Sequence, residues 1–252
     1  EIVGNEWQEV GIFSPDTSES ILSFGSESRM IEDNQPQFQV AVINTEDNAD
    51  YIPPRGVKGE YDRINEIQSK EQSLVLKFVN LPSGHTGIAQ KTLYTLNDNQ
   101  KRSFITYDYM KMYVYGNSTF TNTQETDVEI FLKFGLGNDF YEVTQPVFAG
   151  WDEDENRNSF KIDLNWLTAL KQLDTTKIIK YNLNDIITDS MDMRVYTFRD
   201  EFGQKTGKKV RISGKPALNR LQYFSVGLKN IGNAPIDGEV WLDELRLSGV
   251  KK

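Results

Sequence analysis

The chain contains no cysteine and a single histidine, His85, among its 252 residues. Without thiols, disulfides, cysteine nucleophiles and thiolate metal sites are excluded. A Ser-His-Asp triad is confined to whatever can be assembled around one loop histidine. Positive charge is also scarce: 28 Lys and Arg stand against 37 Asp and Glu, for a net charge of −9. That balance repels nucleic-acid phosphates and anionic membrane surfaces, so no nucleic-acid partner is expected. Long apolar runs are missing as well, with no stretch near the roughly 18 residues of a spanning helix. Neither an internal repeat nor a low-complexity tract is visible. The sequence starts at Glu1 with no methionine or apolar leader, and reads as a piece of a longer protein.

What is present is strand chemistry. With 38% hydrophobic residues and a mean hydropathy of −0.54, the composition suits a soluble globular unit. We expect one β-sandwich domain with long loops over residues 1–252. Residues 38–44, 73–79, 104–115, 127–134, 193–199, 208–213 and 222–230 are short runs rich in β-branched and aromatic side chains. Turn chemistry separates them, at Leu81-Pro82-Ser83-Gly84, Gly135-Leu136-Gly137-Asn138-Asp139, Gly203 to Gly207 and Asp237-Gly238. In 127–134 one face is Val128, Ile130, Leu132 and Phe134, which predicts a half-buried strand. Asp163 is placed to cap a helix that presents Leu164, Leu167, Leu170 and Leu173. A second helical or irregular piece is expected within residues 55–72. The predicted class is therefore mainly all-β, a jelly-roll-like sandwich of the galactose-binding or carbohydrate-binding-module kind, with one or two short helices.

The closing segment Trp241-Leu242-Asp243-Glu244-Leu245-Arg246-Leu247 sharpens this. Period-two alternation puts Trp241, Asp243, Leu245 and Leu247 on one face, so a carboxylate lands among apolar neighbours. A buried charge needs a metal ion, an arginine or backbone N–H groups, which makes Asp243 a candidate ligand of a structural cation. A second candidate is the loop Asp152-Glu153-Asp154-Glu155-Asn156, where Asp152, Asp154 and Asn156 offer oxygens at alternate positions and Asp163 falls twelfth. That spacing echoes a calcium loop, although Arg157 replaces the turn glycine and Asp163 is shorter than the usual glutamate. A solvated acidic loop ending in a helix cap accounts for the same residues. No cofactor is required; a structural Ca2+ is the one that would fit.

Other motifs fail on spacing. Gly135-Leu136-Gly137 lacks the third glycine and following helix of a dinucleotide fingerprint, and reads as a hairpin turn. Lys205-Thr206-Gly207-Lys208-Lys209 lacks the glycines of a phosphate loop. No pair of carboxylates is singled out for glycoside hydrolysis. Trp7, Trp151, Trp166 and Trp241, with Tyr107, Tyr109, Tyr113 and Tyr115, could stack on sugars if exposed, or could pack a core.

The order of several short motifs carries more. Tyr51-Ile52-Pro53-Pro54 with Gly56-Val57, Glu71-Gln72-Ser73-Leu74, Lys91-Thr92-Leu93 and Tyr109-Met110-Lys111-Met112-Tyr113 come first. They are followed by Asn138-Asp139-Phe140-Tyr141-Glu142, Gly214-Lys215-Pro216-Ala217-Leu218, Val226-Gly227-Leu228-Lys229-Asn230 and Glu239 through Leu247. In that order they resemble the SprA/Sov family, the outer-membrane translocon proteins of the type IX secretion system that also serve gliding motility. Arg55 departs from the proline-proline-glycine run expected there. The resemblance implies a non-catalytic domain with a structural or docking role in protein export. Its partners would be other translocon components or secreted proteins. The parent would sit in the outer membrane while this segment, whose strands face outward with Asp, Glu and Lys, does not span it. It would then be exposed to the periplasm or the cell surface. A carbohydrate-binding module of the cell surface is the alternative that the same fold and tryptophans allow.

Overall fold

The computed structural model describes residues 7–14, 35–59, 61–63, 66–93, 103–117, 126–151, 157–172, 185–190, 193–199 and 202–250. Its strands are β1 (Gln8–Phe13), β2 (Gln37–Asn44), β3 (Tyr61–Asp62), β4 (Ile67–Gln68), β5 (Gln72–Leu81), β6 (Thr86–Thr92), β7 (Tyr107–Gly116) and β8 (Val128–Leu136). After these come β9 (Asp139–Pro146), β10 (Gly150–Trp151), β11 (Phe160–Asp163), helix α1 (Leu164–Lys171), β12 (Asp185–Ser190), β13 (Met193–Arg199), β14 (Lys205–Ser213), β15 (Tyr223–Asn230) and β16 (Ile236–Val250).

Two antiparallel sheets carry the fold. One has eight strands in the order β1-β6-β15-β8-β9-β14-β13-β12; the other runs β10-β7-β16-β5-β2, with β11 also pairing β7. The chain passes repeatedly from one sheet to the other, so most neighbours within a sheet are not consecutive in sequence. That is the crossover habit of a jelly roll, and the protein is a jelly-roll-like β-sandwich. Its core lies between the sheets. Ile130, Leu132, Phe134, Phe224, Val226 and Leu228 come from the larger sheet, and Leu76, Phe78, Met110, Met112, Val114, Val240 and Leu242 from the smaller. The alternation in β8 is as expected, with Val128, Ile130, Leu132 and Phe134 inside.

Local chemistry explains the turns. β8 and β9 close through Gly137-Asn138, with Gly137 at φ +58, a conformation that glycine adopts without a Cβ clash. Asp163 caps α1 by accepting a hydrogen bond from Trp166 N at 3.0 Å, and Leu164, Leu167 and Leu170 turn into the core. Of the helical or irregular piece expected within residues 55–72, the irregular alternative is the one described: a turn at Arg55-Gly56 followed by the small β3-β4 pair. Its mixed Glu, Lys and Arg supply no apolar stripe to dock a helix.

The closing strand also departs from simple alternation. β16 has a register shift between Asp243 and Arg246 against β7, with Glu244 at φ +52. This bulge inserts an extra residue and switches the faces. Before it, Val240 and Leu242 point into the core; after it, Leu245 and Leu247 do. Trp241 therefore lies on the outer side of the sheet, apart from Leu245 and Leu247, which it was expected to accompany.

Candidate functional site

The outer side of the smaller sheet is covered around Trp241, while Lys77, Val79 and Tyr109 on the same sheet stay exposed. Tyr51, Val75 and Trp241 form a second buried cluster, with Ile43, Tyr115 and Trp151 packed on it. Tyr115 and Trp241 stack at 4.2 Å between centroids, and Tyr51 meets Trp241 edge-on at 5.5 Å. Trp151 donates its indole N–H to Ile52 O at 2.8 Å. Pairs of this kind fix one segment onto another by shape as well as by area. Here they clamp residues 51–57 over strands β5, β7 and β16.

Beneath this cover lies Asp243, with no solvent exposure. Tyr51 OH donates to its Oδ2 at 3.1 Å, and the same hydroxyl lies 2.7 Å from Ser73 Oγ. Ser73 and the Glu244 backbone N–H also support the carboxylate. Burial, with the neighbouring Glu71 charge added, nonetheless raises the Asp243 pKa from 3.8 to about 7. Tyr51 is raised too, chiefly by burial. The need for partners inferred from sequence is met in part by hydroxyls and a backbone amide, while Asp243 Oδ1 is buried with no hydrogen-bond partner among the described residues. Among the described residues no cluster of three or more His, Cys, Asp or Glu occurs around it. Asp243 is accounted for as a structural carboxyl linking β16 to the 51–57 segment.

The other proposed ligands, Asp152, Asp154 and Asn156, lie outside the described residues. At the ends of that loop, Arg157 sits over the Phe148 ring at 4.2 Å and Asp163 is the helix cap. Asn158, which spacing did not single out, is buried and binds the backbone of Phe148 in both directions at 2.8 Å.

His85 does not build a triad. Its Nδ1 is 3.0 Å from Ser83 O, while Ser83 Oγ donates to Gly232 O at 2.5 Å. A pKa near 7 would suit a general acid, but Asp243 has no solvent exposure from which to meet a substrate.

The accessible chemistry lies on the outer face of the larger sheet. A groove of about 220 Å³ runs across the strands from Val10 on β1 to Val195 on β13. Its floor is a charged ladder: Lys209 Nζ meets Glu129 at 2.8 Å, and Arg211 meets Glu142 at 2.8 Å. Lys133 extends over the Phe140 ring at 3.8 Å. Phe131 occupies the space that a Cβ on Gly227 would need. No sequence motif marks this groove, because its residues come from seven strands and meet only through pairing register.

None of the four tryptophans is a free stacking platform. Trp7, Trp166 and Trp241 are buried, and Trp151 is held by Tyr115 and Ile52. The carbohydrate reading loses its tryptophans, although Tyr109 keeps an exposed ring.

The fold is thus a β-sandwich with a buried aromatic cluster on the outer side of one sheet and a charged ladder on the outer side of the other. The chain belongs to the motility-related/secretion protein family SprA_N, whose profile matches residues 2–252. No curated protein matches it by sequence. Among solved structures, an exo-β-agarase is similar at 12% identity and a TM-score of 0.43, covering 90% of this chain and 24% of its own. A carbohydrate-binding module that recognises mannan is similar at 12% identity and a TM-score of 0.27, covering 84% of this chain and 97% of its own. The chain thus spans about a quarter, 24%, of the agarase's length. Among the described residues no helix is long and apolar enough to cross a membrane.

Proposed function

We propose that this chain is a non-catalytic docking domain of a type IX secretion translocon, serving protein export across the outer membrane and gliding motility. The family carries the secretion and motility part of this reading. The observation that supports a docking role is the outer face of the eight-stranded sheet, where ion pairs between neighbouring strands hold a polar groove open to solvent. A lipid-facing strand would carry an apolar band there instead. The partners of such a face are other translocon components or secreted proteins, met on the periplasmic or cell-surface side of a larger outer-membrane parent. The role needs no cofactor: the sandwich is held by its core and by the Tyr51–Asp243 link.

The test is an in-frame deletion of this segment from the parent gene, with the parent's outer-membrane level checked by immunoblot. Export of a reporter cargo and gliding should both fail while the level holds. Normal export and gliding in the deletion strain would contradict the proposal.

A further inference from the structure

The sign of charge in the groove opposes that of the molecule. Lys133, Lys209, Arg211 and Lys229 line it against Glu129 and Glu142 only, in a chain whose net charge is −9. Lys209 and Arg211 each have a carboxylate at 2.8 Å. Lys133 does not. Its ammonium has the face of Phe140 at 3.8 Å, and Glu142, the carboxylate nearest in register, is already engaged by Arg211. Burial lowers the Lys133 pKa, and the Arg211 charge lowers it further against the pull of Glu142. An ammonium carries three donors, and a ring face satisfies none of them as a carboxylate oxygen does.

We infer that this groove binds an acidic peptide segment, one of whose carboxylates takes the Lys133 ammonium. Charge complementarity selects an anion, and an ion pair formed in a partly desolvated groove is stronger than one on open surface. Two features favour a peptide over a sugar acid. The ring in the groove's lining, Phe131, is packed against Gly227, and the neighbouring Phe140 is covered by Lys133, so neither is free to stack. The groove's length across the strands, from β1 to β13, suits an extended chain with side chains at intervals. The choice of a polypeptide rests on the docking role proposed above; the groove's affinity for anions does not.

The experiment is isothermal titration of the full chain with hexaglutamate, and with hexaglutamine, inorganic phosphate and oligogalacturonate as comparisons. Hexaglutamate should bind at low ionic strength, at least tenfold more weakly at 0.5 M salt, and hexaglutamine should not bind. Lys133→Met should weaken hexaglutamate at least tenfold, whereas Lys77→Met, on β5 away from the groove, should leave it unchanged. Thermal unfolding of Lys133→Met should be no lower than that of the parent chain; if that variant fails to fold, Lys133→Gln replaces it. Absence of hexaglutamate binding, or binding indifferent to Lys133, overturns the inference. Binding of phosphate or oligogalacturonate through Lys133 without hexaglutamate overturns the peptide assignment while leaving the deletion phenotype to judge the docking role.

Discussion

Replacing Asp243 by Asn should make the protein more stable at alkaline pH and leave it almost unchanged in acid. The carboxyl is fully buried beneath Tyr51, faces Glu71, and has a pKa of about 7 in place of 3.8. Because the folded value is the higher, the native state holds this proton when the unfolded chain has released it. The associated stability is complete below about pH 4 and is lost as pH rises through about 7. The interval is worth roughly 4 kcal/mol at 1.36 kcal/mol per pKa unit. Asn copies the protonated shape and carries no charge to desolvate. Its carbonyl can still accept from Tyr51 and Ser73. Urea denaturation followed by tryptophan fluorescence at pH 4.5, 6, 7 and 8.5 reads the difference directly. The two proteins should match at pH 4.5, and the variant should gain several kcal/mol over the parent by pH 8.5. The ionisable neighbours of this carboxyl are Glu71 and Tyr51, and the lowered acidity of Tyr51 keeps it neutral across the range. A loss of about 2 kcal/mol or more on Asp243→Asn at pH 8.5 would refute the reasoning, because it would mean that the charged carboxylate is used. If that loss appeared only when calcium was present, a cation would be the reason.

Two further substitutions probe the frame around this site. Tyr51→Phe removes a hydroxyl shared between Ser73 and Asp243, so it should cost about 1 to 2 kcal/mol in urea denaturation. Since the Tyr51 hydrogen bond lowers the Asp243 pKa, its loss should also move the alkaline decline of stability to higher pH. Gly87→Ala should cost about 1 to 3 kcal/mol, because a Cβ there would run into the Phe38 ring across the sandwich. Phe38→Leu in the same chain should recover part of that loss, and strict additivity of the two single effects would argue against the contact.

Strands could be read in advance where β-branched and aromatic residues run between turn signals, as in β5 and β15, which are buried on both faces along most of their length, or where the two faces differ. β8 and β13 show this, as does the inner side of β7, where Met110, Met112 and Val114 alternate with Tyr109, Lys111, Tyr113 and Tyr115. β6 was missed because it contains Gly87 where its inner face makes room for Phe38, and because Thr86, Gln90 and Lys91 hide the alternation. β9 was passed over for a related reason: Glu142 and Thr144 stand on its outer face beside the ladder, so it is not apolar enough to stand out. The need to partner Asp243 was legible, since a carboxylate beside Trp241 must be satisfied wherever the strand is buried. Its partner was not, because Tyr51 lies 192 residues away along the chain. The bulge at Glu244 was hidden as well, since a left-handed glutamate leaves no glycine or asparagine as a signal. The groove was the least visible feature. Glu129, Lys133, Glu142, Lys209 and Arg211 become one surface only after three strands have found their register.

The docking claim is tested most directly by placing a photo-crosslinking amino acid at Thr144, on the floor of the groove, in the parent protein of a secreting strain. On illumination, an adduct should form with an acidic segment of a secretion-machinery protein or a secreted protein, identified by peptide mass spectrometry, and Lys133→Met should abolish it. An adduct formed only with polysaccharide, or a protein adduct that survives Lys133→Met, would contradict the account.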